Sequence, residues 1–295
     1  MLGHKTILII ALALFPVFAE EFSGARAFEH VKQAVEFGPR PAGSPAIRKL
    51  QAYIHAQLKS CRCDVQDDDF AAQTPNGSVS MKNIIARFPG AGREGSRTLV
   101  VTGHYDTKLM DGFVGANDGG SSTGLLLELA RILATTPHRA HIWLVWLDGE
   151  EAVKEWSATD STYGSRHLAK VWSDRGDLAR IGAVINVDMI GDKNLDVPIE
   201  ANSTPTLGRL AKHTADELGF NQQFLSESIS IEDDHLPFLE RGVPAVDLID
   251  FNYGPANSYW HTTADTLDKL SPQSLEVVGK VVLGMLGSLD KPTPR

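Results

Sequence analysis

Cysteine is almost missing from this chain: Cys61 and Cys63 are the only two in 295 residues. A zinc ribbon needs four ligands at set spacing, so this pair does not make one. With one residue between them a disulfide would close a strained ring, and paired and free thiols both stay open. Clustered positive charge is missing too. The net charge is -9 and no long run of Lys or Arg appears, which argues against a surface that tracks nucleic-acid phosphates. The mild acidity bears mainly on solubility. There is no internal repeat and no low-complexity linker. Beyond the N-terminal segment no apolar stretch approaches the roughly 20 residues that a bilayer span requires.

What is present reads as an ordinary globular chain. Hydrophobic residues make up 42% and charged residues 22%, enough apolar side chains for a sizeable core. A length near 300 fits one large α/β domain as well as two small ones. The N-terminus has the pattern of a targeting segment: His4 and Lys5, an apolar run over 7–18 broken by Pro16, and Val17-Phe18-Ala19 before Glu20 and Glu21. Residues 1–19 are therefore expected to be a cleaved signal peptide, leaving no membrane span and a secreted or periplasmic protein. A membrane anchor or a buried helix is the alternative, and the run is short for an anchor. Residues 20–295 are expected to form one catalytic domain, working as a monomer.

Helical spacing covers 28–37 and stops at Gly38-Pro39. Ser44 followed by Pro45 opens a second helix to about Leu58. Further helices are expected over 121–133, with Ser121 or Ser122 as cap, and over 163–171, 205–218, 236–240 and 271–286. Buried strands are expected over 83–88, 98–102, 141–147, 183–189 and 245–249. Apolar strands alternating with helices predict an α/β fold with a mostly parallel central sheet covered on both faces.

The polar clusters fall at the ends of those strands. His104-Tyr105-Asp106 follows one, Asp148-Gly149-Glu150-Glu151 another, and Asp188 ends a third. Open α/β sheets bind ligands beyond the carboxyl ends of their strands. The candidate set is His104, Asp118, Glu150, Glu151, Asp188 and His261. Imidazole and carboxylate ligands without thiolates suit a catalytic zinc with an open position. In Glu150-Glu151 one side chain can hold metal while its neighbour stays free as an acid or base. Each residue also has a plainer reading. The Glu pair would make a solvated turn, His104 a hydrogen-bonded core residue, Asp118 a turn before a helix, and His261 a surface loop position. Asp188 is harder to dismiss, since a carboxylate within an apolar strand needs a partner or a metal.

The motifs carry a resemblance. Gly103-His104-Tyr105-Asp106-Thr107-Lys108, Phe113-Val114-Gly115-Ala116-Asn117-Asp118 and Leu147-Asp148-Gly149-Glu150-Glu151-Ala152 are similar, in that order, to motifs of the metal-dependent aminopeptidase-like superfamily. Trp156-Ser157, Asp160-Ser161 and Tyr163-Gly164-Ser165-Arg166-His167-Leu168-Ala169 narrow it. With Asp233-Asp234-His235-Leu236-Pro237-Phe238-Leu239 and Trp260-His261-Thr262, the chain resembles the animal-type glutaminyl cyclases from about Phe37 almost to the C-terminus.

That resemblance implies a role for each residue. Asp118, Glu151 and His261 would hold one zinc ion. Glu150 would shuttle the proton, with Asp188 and Asp233 hydrogen-bonding to it and setting its protonation. Trp156 and Trp260 would shape the substrate pocket, while Trp143 and Trp146 read as core. The implied activity turns the N-terminal glutamine of peptides or proteins into pyroglutamate with loss of ammonia. A two-zinc aminopeptidase on the same fold is the rival, with His104 and Asp188 as ligands of a second metal. A metal-free binding protein is the other alternative, and the complete site argues against it. The chain departs from the cyclase pattern in four places. Glu232 stands where Gln is expected and Asp247 where His is expected. The loop 252–259 differs, and no Cys lies near His104 to form the animal-type disulfide.

Overall fold

The structure is a computed structural model that describes residues 21–92 and 97–291. The signal-peptide reading of residues 1–19 lies outside the described residues. In chain order the elements are α1 (Gly24–Glu36), α2 (Pro45–Leu58), β1 (Asp64–Thr74), β2 (Gly77–Phe88), β3 (Thr98–His104), α3 (Gly120–Leu133), β4 (His141–Leu147) and α4 (Tyr163–Arg175). There follow β5 (Ile181–Asp188), β6 (Val197–Glu200), α5 (Pro205–Glu217), β7 (Phe224–Ile229), α6 (Leu236–Leu239), β8 (Ala245–Ile249) and α7 (Pro272–Leu289).

Local chemistry explains several boundaries. The Ser44 hydroxyl accepts the backbone N–H of Ile47 at 3.1 Å, and Pro45, which has no N–H to lose, opens α2. Ser271 caps α7 in the same way, accepting from Gln273 at 3.1 Å ahead of Pro272. The expected cap of α3 is corrected. Gly119, at φ +76°, begins that helix, and Ser121 and Ser122 lie inside it. Their hydroxyls donate instead to the carbonyls of Asn117 and His104. A side chain on Gly119 would bring Cβ within 2.2 Å of the Asp106 carbonyl, so only glycine allows this close approach.

The main sheet has the order β1-β2-β4-β3-β5-β8. β4, β3, β5 and β8 run parallel, as the apolar runs predicted. β1 and β2 extend the sheet antiparallel at one edge. Period-two alternation divides the strands between two cores. Ile84, Ala86, Leu99, Val101, Leu144, Trp146 and Ile185 pack beneath α1, α2, α3 and α7. Ile85, Val100, Val145, Leu147 and Val184 face the opposite side, where Leu168, Trp172 and Phe238 come from α4 and α6. Trp146 is core, and Trp143 packs at the edge of the second core against Trp172, 5.1 Å between ring centroids.

The sequence reading left out β1, the first half of β2, and the small parallel pair β6–β7. β1 carries Asp64, Asp67, Asp68 and Asp69 along an edge, so no apolar run marks it. Cys61 and Cys63 are free thiols. Among the described residues no helix is long and apolar enough to cross a membrane.

Candidate metal centre and pocket

Because β3, β4 and β5 run parallel, their carboxyl ends come out together. His104 is the last residue of β3, Asp188 the last of β5, and Glu150-Glu151 follow β4 within three to four residues. The Glu-Glu turn is held by its backbone. Gly149 stands at φ +69° and a Cβ there would meet the Met81 sulfur at 2.6 Å. The Asp106 carboxylate accepts the N–H groups of Glu150 at 3.1 Å and Glu151 at 3.4 Å.

Asp118 is positioned from two sides. Asp265 accepts the N–H groups of Asn117 and Asp118 at 2.8 and 3.1 Å. The wholly buried Arg40 donates to the carbonyls of Tyr105, Val114 and Gly115 at 3.1, 2.5 and 2.8 Å. Burial costs that guanidinium some of its basicity, and Asp265, Asp106 and Asp118 restore part of it. His261 sits in the left-handed region at φ +50°, a conformation unusual for a non-glycine residue. Its ring stacks on Trp260, 4.0 Å between centroids, and meets the edge of Phe113. Sequence reasoning assigned no part to Asp106, Asp265 or Arg40. The donors to Asp106 lie 44 and 45 residues away in the chain.

His261 Nε2 lies 3.4 Å from Asp118 Oδ2 and 3.3 Å from Glu151 Oε1. Both oxygens are buried without a hydrogen-bond partner. A tetrahedral zinc site with bonds near 2.0–2.1 Å has ligand-to-ligand edges of about 3.3–3.4 Å. The observed separations match two such edges, so the donor set fits an ion of this size. Protonation tells the same story. Burial lowers the basicity of His261, but Asp118 and Glu151 outweigh it and bring its pKa up to about 9. Without metal, a proton supplies the positive charge these oxygens call for.

A second group, His104, Asp118 and Asp188, also brings ligand atoms together. Its atoms already have partners. His104 Nε2 is 3.0 Å from Asp188 Oδ1, which also accepts the Met189 N–H at 2.7 Å. Burial disfavours a charged His104, yet Asp188, Asp106 and Asp118 together raise its pKa well above the ordinary value.

Glu150 sits beside both groups. Burial pushes its carboxyl well above the usual range; His104 opposes the shift, and Glu151, Asp233 and Asp234 add to it. Asp188 is brought up to about 7, first by burial, with Asp233 contributing. The expected hydrogen bonds from Asp188 and Asp233 to Glu150 are not among those of the described residues. Asp188 bonds His104 instead. Asp233 accepts from Asn186 at 2.9 Å, and Asn186 also donates to Asp247 at 3.1 Å. Asp233 acts on Glu150 through charge. Deeper in, His235 lies 3.1 Å from Glu200 and 3.9 Å from Asp247.

These groups open into a pocket of about 450 Å³. Asp118, Glu150, Glu151, Asp188, Asp233 and His261 line its floor, with His104 just beneath at 1% exposure. Trp156 and Trp260 form walls, joined by Phe251, which packs 4.9 Å from Trp260. The Trp156 indole N–H donates to Glu232 at 3.0 Å, so the carboxylate at the position where Gln was expected holds this wall. Lys108, not assigned from sequence, stands 3.5 Å from Glu151. The structure thus gathers all nine residues singled out from the sequence around one cavity.

The model of peptidase family M28 matches residues 83–286. The glutaminyl-peptide cyclotransferase of Drosophila melanogaster is 32% identical over 276 residues, 83% of this chain and 76% of the relative. The crystal structure of an Acidobacteriales bacterium glutaminyl cyclase superposes with a TM-score of 0.88 at 41% identity, covering 95% of this chain and 99% of the other. A Zn-dependent exopeptidase from Parabacteroides distasonis shares the fold, with a TM-score of 0.80 at 24% identity over 93% of this chain and 100% of that one.

Proposed function

Because this chain belongs to peptidase family M28 and, within it, to the glutaminyl-peptide cyclotransferases, we propose that it converts the N-terminal glutamine of peptides or proteins to pyroglutamate and releases ammonia. The likeness to the Acidobacteriales enzyme over nearly the whole of both chains carries this reading. The site supports it with a buried carboxylate, Glu150, standing free beside a three-ligand metal position.

Asp118, Glu151 and His261 would hold one zinc ion. Bound there, the metal supplies Lewis acidity for the γ-carbonyl of the substrate. The chain's own residues do the rest. The α-amine of the glutamine attacks its γ-amide carbon, and Glu150 takes a proton from that amine. The same proton passes to the departing amide nitrogen, which leaves as ammonia, so no water enters the balance. Raised pKa suits this double duty, because a carboxylate that binds its proton more firmly is a better base. Trp156, Trp260 and Phe251 would flank the substrate side chain and hold it folded for ring closure. The Met189 N–H already held by Asp188 Oδ1, set against the two unpartnered oxygens beside His261, supports one zinc rather than two. Residues 1–19, by their signal-peptide pattern, would direct export.

One experiment tests the reading. Ammonia release from an N-terminal Gln peptide is compared with hydrolysis of a Leu amide, alongside metal analysis. We expect one zinc per chain, ammonia from Gln substrates, and little Leu-amide cleavage. Two zincs with faster Leu-amide cleavage would put the two-zinc aminopeptidase in its place.

A further inference from the structure

A second cavity, of about 250 Å³, adjoins the active pocket and shares Ile231 and Phe251 with it. The chain that carries it has a regular pattern. Leu225, Glu227 and Ile229 of β7, then Ile231, all line this cavity, and each is two residues from the next. Alternate residues of an extended chain share one face. From Leu225 to Ile231 that face runs about 20 Å at roughly 3.3 Å per residue, the length of about six extended residues. Pro198 of the paired strand β6 and Phe251 also line it, and Asp196 and Glu227 supply its charge. No Lys or Arg lines it. Leu225, Ile229, Ile231 and Phe251 are only half-buried, which is costly for side chains of this kind unless something covers them.

We propose that this groove is an extended substrate subsite, which binds the residues following the N-terminal glutamine and prefers apolar side chains interspersed with basic ones. The inference rests on the cyclotransferase reading of the adjoining pocket. The occupant follows from continuity and charge. A peptide whose first residue sits over Glu150 must leave the pocket along its wall. On the side shared with the groove that wall is Ile231 and Phe251, and beyond them lies a floor of matching length. Two carboxylates without a neighbouring cation in the groove favour Lys or Arg on the peptide. Glu232, at the junction, adds to the same field.

The test uses three substrates: a Gln-Gly dipeptide amide, a hexapeptide Gln-Gly-Leu-Lys-Leu-Lys amide, and its counterpart with Glu for Lys. For the unaltered enzyme, KM for the basic hexapeptide should be about tenfold below that for the acidic one, the scale of a few exposed charge contacts. Glu227→Lys should narrow that preference about fivefold by replacing an attraction with a repulsion. Leu225→Ser should weaken both hexapeptides, and the dipeptide should keep its kcat and KM in both variants. Equal KM values for the two hexapeptides, or dipeptide kinetics that move in step with them, would overturn the subsite. Calorimetric titration with the pyroglutamyl form of the basic hexapeptide reads the groove without turnover. Binding weakened by Glu227→Lys supports the subsite even if no substrate releases ammonia, in which case the cyclotransferase reading alone falls. Binding unchanged by that variant rejects the subsite.

Discussion

His261 and His235 each lie within reach of two carboxylates, in two different arrangements. At His261 both carboxylates face one ring nitrogen: Asp118 Oδ2 is 3.4 Å and Glu151 Oε1 3.3 Å from Nε2. At His235 they face opposite nitrogens, Glu200 at 3.1 Å from Nε2 and Asp247 at 3.9 Å from Nδ1. Convergence on one nitrogen leaves a point that three ligand atoms can share. Placement on opposite nitrogens leaves none. Exposure differs as well: 20% of the His261 side chain reaches the pocket, whereas that of His235 is 0% exposed. The same residue types therefore make a candidate metal position in one place and a buried polar brace in the other. Geometry, rather than composition, separates them.

The sharpest way to break this comparison is to remove each imidazole in turn. His261→Ala should lose bound zinc, and turnover should fall by roughly 10³-fold or more, since a Lewis acid contributes several kcal/mol. Metal analysis with an ammonia assay reads both. Full zinc and near-normal turnover in that variant would end the distinction. Glu150→Gln sharpens the pocket side. It should keep zinc and fold yet lose about 100-fold or more in kcat, because an amide cannot carry the proton. A zinc-loaded, folded variant with ordinary kcat would remove Glu150 from the mechanism.

The buried brace should answer through stability. His235→Ala leaves two carboxylates facing a cavity in the interior and should cost roughly 4 kcal/mol of unfolding free energy, measured by denaturant titration. Zinc content should stay at one per chain. Loss of zinc with unchanged stability would reverse the assignment of the two clusters.

The smallest effect concerns acid. Burial would raise the Glu200 carboxyl, but its bond to His235 and the N–H groups of Asn202 and Ile231 bring it down to about 2. A carboxyl held below its unfolded value stabilises the fold above that unfolded value, near 4.5. That contribution, about 3 kcal/mol, fades as pH falls from about 4.5 towards 2. Glu200→Gln should flatten this acid limb of the stability curve while leaving its shape above pH 5 unchanged. An acid limb as steep as before would show that Glu200 is not its source.

The sequence by itself determined what acts within a few residues or repeats along an element. Ser44-Pro45 set the start of α2 because a hydroxyl and a ring without N–H solve a local problem of unpaired donors. Apolar runs fixed β3, β4, β5 and β8, since a strand buried on both faces has no polar alternation. Parallel strands then placed His104, Glu150, Glu151 and Asp188 at one edge, and motif order gave Asp118, Asp233 and His261 their company. The acidic edge strand β1 escaped this reading, because its partner β2 rather than its own pattern holds it. Only the tertiary structure decided which nitrogen of each histidine its carboxylates face. It alone brought Asp265 to the backbone of Asp118, Arg40 to the loop before it, and Asp106 beneath Glu150 and Glu151. Those contacts join residues 44 to 147 positions apart, and nothing in local sequence encodes a distance that exists only once the chain has packed.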